Sequence, residues 1–319
     1  MRTKRIISML LAAVLMLGVV AGPAALAAQP CELETQSTAV DETNEMVSIR
    51  ISPEGDLVYG SGLKLNVETD PEGTQYLGVI IGVSGEANGF VTLILSQKIR
   101  KLLTLIPVPK VMSKTPDQEE EFTLYLYLKQ LIDGNDASIL IRVADETVAV
   151  MDSLKFYMPS IKNLAAALKL ALNLIREFVP EDTGTRIYLD EQPTEEGNYV
   201  AGAVAMDDGD INSAGVALFR IKPKSEGVSL YWASDVPESM TVEEAQNFNS
   251  AAVLNDNGTV VENAKITYAY KKKSGDFFGD LFGTASEVDF PTEPGEYTQT
   301  ATATGNYSTD EISRTIIIK

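Results

Sequence analysis

From Met46 to Leu95 apolar and polar residues alternate in short runs, and the alternation resumes from Arg186 and continues to Lys319. Between Gln97 and Thr183 the apolar positions recur instead at intervals of three and four. A period of two puts successive side chains on opposite faces of a strand, whereas a period near 3.6 gathers them into one stripe of a helix. The pattern predicts a β protein interrupted once by a helical block. Strands are expected over 46–51, 63–67, 76–83, 90–95, 186–189, 199–206 and 216–222, then over 228–232, 251–254, 265–271, 297–303 and 312–318, with Gly, Pro, Asp and Asn marking the turns between them.

One phrase is written twice. Pro193-Thr194-Glu195-Glu196-Gly197-Asn198-Tyr199 and Pro291-Thr292-Glu293-Pro294-Gly295-Glu296-Tyr297 each open an alternating segment that closes on Ile-Lys. Proline fixes φ for a turn, glycine permits φ above zero, and the tyrosine enters the next strand. Aligned on this phrase, residues 46–224 and 226–319 are two copies of a module, and they match in length once 97–183 is removed from the first. Gly197 with Tyr199, and Gly295 with Tyr297, are expected to form tyrosine corners, in which the ring packs inward and its hydroxyl bonds backbone upstream. The fold class expected is mainly β: two tandem immunoglobulin-like antiparallel sandwiches, the first with a three-helix insertion.

Leu57-Val58-Tyr59-Gly60, the Pro-Thr-Glu-x-Gly-x-Tyr phrase, and Asn306-Tyr307 ahead of a terminal apolar strand resemble the tandem Ig-like modules of secreted bacterial surface proteins, including the type marked by a Tyr-Gly dipeptide. The resemblance covers most of 46–96 and 184–319 and implies adhesion, ligand display or spacing. The second copy has no clear Tyr-Gly.

Within the block, Thr115-Pro116 followed by acids, with Phe122, Leu124, Leu128, Leu131 and Ile132 leading to Gly134, predicts a first helix. Asp136 is expected to cap a second helix running through Leu154, and Ile161, Leu164, Leu168, Leu172, Ile175 and Phe178 form the stripe of a third over 159–179. Lys271–273 and the Phe-rich stretch to Gly283 are expected to occupy, in the second copy, the loop that holds the insertion in the first.

The first 28 residues have a basic start at Arg2, Lys4 and Arg5, an apolar run and Ala25-Leu26-Ala27, the pattern of a secretory signal peptide. A flexible segment over 29–45 is expected to follow, and the exported chain contains no apolar run long enough to span a bilayer. A secreted or extracellular location, with association at the cell surface, follows from this reading. Losing Arg2, Lys4 and Arg5 moves the net charge from −19 to −22, which repels nucleic acid. The insertion carries 11 Lys and Arg against 12 Asp and Glu, so the acidity belongs to the sandwiches. Partners are expected among cell-envelope or host glycans and proteins, met through the insertion or the 271–283 loop.

Chemistry is restricted. The chain has no histidine, which removes Ser-His-Asp and Cys-His catalysis and imidazole-based zinc sites. Its one cysteine, Cys31, cannot form an internal disulfide, and Ala28-Gln29-Pro30 before it is not a lipobox. Asp208, Asp210 and Asn212 have the spacing that opens a calcium loop, but Ser213 and Phe219 stand where such a loop needs glycine and glutamate, and a plain hairpin is the preferred reading. No cofactor pattern is present, and no catalytic residues are assigned. The alternatives are a carbohydrate-binding module and, further off, a glycoside hydrolase working through paired carboxylates.

Overall fold

A computed structural model describes residues 36–39, 46–52, 57–61, 64–70, 72, 74–107, 122–136, 185–207, 210–248, 251–273, 287–288 and 290–319. The chain is mainly β and divides into two compact units, Met1–Ile221 and Lys222–Lys319.

In the first unit the strands are β1 (Gln36–Ala39), β2 (Met46–Ser52), β3 (Leu57–Val58), β4 (Lys64–Asp70), β5 (Gln75–Gly82) and β6 (Phe90–Leu95). After β6 come helices α1 (Gln97–Thr104) and α2 (Leu124–Ile132), then β7 (Asn135–Asp136), β8 (Arg186–Leu189), β9 (Gly197–Asp207) and β10 (Asp210–Lys222). One sheet has the order β1-β10-β9-β5-β6-β8-β7, with β3 also on β10, and β2 and β4 form a second. Pairing along this path and between β2 and β4 is antiparallel except for β6 with β8. Among the 186–222 strands β9 pairs with β5, β8 with β6 and β10 with β3, while β10 also pairs with β1 and β8 with β7, both outside 46–96.

Ile80, Ile94, Ala201, Ala203, Ala205, Ala217 and Phe219 share one buried cluster, with Val67 of β4 packed against it. Every residue of β6 from Val91 to Leu95 is buried. The reason is two-sided cover: Ile94 faces this core, while α1 packs on β5 and α2 on β8 across the opposite face. Thr123 caps α2, its hydroxyl accepting from Leu126 N, and Gly134 at φ 70° lets the chain leave. The helix thus starts later than Thr115-Pro116 suggests, and residues 115–121 lie outside the described set. Asp136 lies in β7, paired with Arg186, and the residues of the helix it is expected to cap lie outside the described set. The rest of the expected second helix and the whole third lie outside the described residues, as do the signal segment, Cys31 and residues 274–286.

The second unit has β11 (Val228–Trp232), α3 (Val242–Asn247), β12 (Ala252–Asp256), β13 (Thr259–Val260), β14 (Ile266–Lys272), β15 (Glu287–Val288), β16 (Gly295–Ala303) and β17 (Ile312–Ile318). Its sheets are β11-β12-β13 and β15-β14-β16-β17. Leu230, Ala252 and Leu254 of the first meet Ala301 and Ala303 of the second in a common core, the relation of two facing layers.

Register shows how closely the units correspond. Gly197 pairs with Ile221 and Tyr199 with Phe219, while Gly295 pairs with Ile318 and Tyr297 with Ile316. On the other side Gly82 opposes Tyr199 as Lys272 opposes Tyr297. Strands β5, β9 and β10 therefore stand to one another as β14, β16 and β17 do.

The same mapping corrects one expectation. Thr92 of β6 opposes Ile80, and Val288 of β15 opposes the equivalent Tyr270. The helices follow β6, whereas the 271–283 stretch begins before β15, in the place of the short 83–89 connection. The two variable regions use different loops, because each copy lengthens a different connection around one three-strand frame.

Candidate functional site

Both tyrosines of the repeated phrase close on backbone four residues upstream. The Tyr199 hydroxyl donates to the Glu195 carbonyl at 2.7 Å, and that of Tyr297 to the Glu293 carbonyl at 2.9 Å. Both rings are buried. Tyr199 also stacks on Phe219 with centroids 4.9 Å apart and planes 4° from parallel. Burial, reinforced by the Glu195 and Glu196 charges, pushes its hydroxyl pKa up. Gly197 has φ 150°, and a Cβ there would lie 2.1 Å from the Ser84 carbonyl oxygen. That close approach exists because the 84–87 turn folds onto the corner, Ala87 N donating to Glu196 O at 2.9 Å. These residues fix a turn between strands and present no reactive group.

A denser polar site lies where α1 and α2 meet the sheet. Asp190 follows β8 with φ 57°, a left-handed conformation that Asp tolerates better than most residues. Its side chain is only 6% exposed and gathers three elements. One oxygen accepts from Leu95 N at 2.8 Å and pairs with Arg100 of α1 at 3.0 Å; the other accepts from the Tyr125 hydroxyl of α2 at 2.9 Å. Beside it, Asp133 accepts from Leu189 N at 2.9 Å and Lys129 donates to Leu189 O at 2.9 Å, so an i,i+4 ion pair brackets one residue of β8. Burial and then the Asp190 charge push the Tyr125 hydroxyl up to about 12. Burial raises Tyr76 as well, with Arg100 opposing and Asp190 assisting. A carboxylate with both oxygens bonded to protein donors is an anchor in this geometry: its lone pairs are directed at the fold.

The second unit holds a polar row across its interior. Tyr270 of β14, Gln299 of β16 and Arg314 of β17 are cross-strand neighbours. Gln299 donates to the Tyr270 hydroxyl at 3.0 Å and accepts from Arg314 Nε at 2.7 Å. The Arg314 guanidinium lies 3.9 Å from the Trp232 ring centre and 5.5 Å from that of Phe248, and it donates to the Ser234 carbonyl at 3.0 Å. Burial lowers the Arg314 pKa and raises that of Tyr270. In the first unit the same three places hold Ile80, Ala201 and Ala217, all apolar and buried.

The expected calcium residues fall at a hairpin. Asp210 pairs with Asp207, and the register shifts between Ile211 and Ser213, which makes Asn212 the additional residue of a bulge. Asp208 lies outside the described residues. Among the described residues no group of three His, Cys, Asp or Glu side chains could hold a metal ion, and no helix is long and apolar enough to cross a membrane.

Sequence reading missed Asp190 and Arg314. A signal for Arg314 was present, since period-two alternation from Ile312 to Ile318 puts it on the face of Ile316 and Ile318. Asp190 carried no comparable signal: an acid in a polar turn is ordinary, and its partners lie 65 to 95 residues away. Compared with known proteins, the chain matches no family model and no curated sequence.

Proposed function

We propose that this is an exported, non-catalytic protein of two tandem Ig-like sandwiches, the first with a helical insertion over 97–183, serving adhesion, ligand display or spacing at a bacterial surface. The observation that carries the reading is the recurrence of one three-strand frame in identical register, closed each time by a tyrosine corner. A duplicated frame with a separate core in each unit holds its strands in place and leaves connections free to vary. The signal-like N-terminus and the acidic sandwiches support an exterior location.

The test uses the chain from Ala28 onward, titrated against purified cell-envelope fractions, host-surface proteins and a glycan array, alongside a turnover screen on polysaccharides. Saturable binding without turnover supports the proposal. Binding confined to glycans would make it a carbohydrate module, and turnover abolished by one acid-to-amide change would make it a glycosidase.

A further inference from the structure

The second unit is tied along its length by two bridges unlike any of its other pairings. Lys224 pairs with Tyr307, and Met240 with Ile318, both in parallel. At the first, Lys224 N donates to Asn306 O at 2.8 Å and Ser308 N to Lys224 O at 2.9 Å. At the second, Met240 N donates to Ile317 O at 3.0 Å and Lys319 N to Met240 O at 2.9 Å. The Lys224 ammonium also reaches both oxygens of Asp256 at 2.8 Å, fastening the incoming chain to the end of β12.

These contacts fix a direction. Tyr307 lies in the β16–β17 turn, while Ile318 sits at the other end of β17, opposite Gly295. The chain enters the unit at one end of the sheet that holds β17, passes through β11 of the other sheet, and is bonded again at the far end of β17. The start of the 222–240 segment and the end of β17 therefore lie at opposite ends of that sheet. Ladder hydrogen bonds lie across the strands, so a load along the strands strains the two bridges and the seven β16–β17 pairs together. A load across the strands breaks them one at a time.

We infer that the second unit resists tension, the Lys224–Tyr307 and Met240–Ile318 bridges forming a shear clamp against a pull between Lys222 and the end of β17. The inference rests on the spacer reading above and names what the spacer resists.

Single-molecule force spectroscopy on the full mature chain, in a Cys31→Ser background, tests it. Handles on Lys222→Cys and Lys319→Cys load the unit lengthwise; handles on Glu238→Cys and Lys319→Cys pull the second bridge apart crosswise, and all three positions are exposed. Lengthwise unfolding is expected at roughly twofold or higher force than crosswise unfolding at the same pulling rate. Ser308→Pro, which deletes one bridge donor at an exposed position, should lower the lengthwise force and leave the crosswise force unchanged. Equal forces in the two geometries overturn the inference, as does a folded Ser308→Pro chain with unchanged lengthwise force. If that variant does not fold, the comparison of geometries decides alone. Envelope binding measured on the same samples separates the two proposals: equal forces with binding retained remove only the clamp, and unequal forces with turnover and no binding remove only the spacer.

Discussion

The guanidinium of Arg314 sits over Trp232 with its central carbon 3.9 Å from the ring centre, inside the second unit and between two of its hydrophobic clusters. Leu230, Leu254 and Ala301 pack on one side of this row, and Met240, Tyr297 and Ile316 on the other. The first unit fills the same level with Ile80, Ala201 and Ala217. One frame has therefore been completed in two ways, by aliphatic contact and by a hydrogen-bonded polar row. A polar row of this kind stabilises only when each member is satisfied.

Arg314→Ala should cost about 2–4 kcal/mol, the sum of a partly desolvated cation–π contact and a charged hydrogen bond, and it leaves Gln299 Oε1 without that donor. Trp232 is the only tryptophan, so its fluorescence in a urea titration reports on the second unit alone. Adding Gln299→Ala copies the first unit's Ala201 and Ala217. The double variant should be less destabilised than the two single changes added together, by about 1 kcal/mol or more. Strict additivity would show that the row is not a coupled unit.

Asp190 invites a separation of conformation from charge. Asp190→Asn keeps tolerance of φ 57° and one acceptor, and should destabilise the first unit by about 1–2 kcal/mol; Asp190→Ala loses both and should cost about 3 kcal/mol or more. Asp190→Gly relieves the backbone without restoring an acceptor and should fall between them. Hydrogen exchange gives the location: protection should drop at Leu95 and through α1 and α2, while the β5–β9 ladder stays protected. Uniform loss across the unit would mean that Asp190 supports the whole sheet instead of docking the helices.

Much of the frame could be read from the chain. The strands at 186–189, 228–232 and 312–318 lie where alternation places them, because a sheet with one buried face leaves a period-two record, whereas 90–95 is covered on both faces and reads as an apolar run. The two-residue strands β7, β13 and β15 are too short to carry a period, and α3 is one capped turn and a half whose mark is the Thr241–Glu244 box. That the 271–283 stretch occupies a different connection from the helices was not legible, since that depends on which strand of the second unit corresponds to β6, and such correspondence is a property of register. For the same reason Asp190 stayed hidden while Tyr199 and Tyr297 did not: a corner is a local motif, whereas the anchor assembles from three distant segments.

The two corner glycines should respond unequally to a methyl group. At Gly197 a Cβ meets the Ser84 carbonyl oxygen at 2.1 Å and the Ala87 Cβ at 2.7 Å, both held by the turn, and φ 150° is already unfavourable. At Gly295 φ is 155° but the nearest atom is Lys272 Cε at 2.8 Å, the mobile part of a partly exposed chain. Gly295→Ala is expected to cost about 1–2 kcal/mol from backbone strain. Gly197→Ala should cost about 3 kcal/mol or more, since overpacking adds to the strain. Thermal melts of the two variants, resolved by unit through Trp232 fluorescence against far-UV circular dichroism, test the order. Equal losses would show that the 84–87 turn yields.

Alkali should unfold the first unit ahead of the second. Tyr76, Tyr125 and Tyr199 all lie in it and all have hydroxyl pKa values raised by burial, Tyr125 to about 12, whereas in the unfolded chain a tyrosine titrates near 10. Below pH 10 both states hold these protons, so the stability that comes from keeping the phenols neutral is fully present. Above that value the unfolded chain releases protons that the folded one retains, and stability falls as pH rises toward the folded values. In the second unit Tyr270 is raised by burial too, but its bond from Gln299 and the Arg314 charge oppose the shift. Urea midpoints taken from pH 8 to 12 should hold level up to about 10 and then decline for the first unit before the second. Asp190→Asn should move the Tyr125 phenolate absorbance step to lower pH, because the charge and acceptor that hold its proton are weakened together. A Tyr125 step that does not move would place the whole shift in burial and remove Asp190 from the alkaline response.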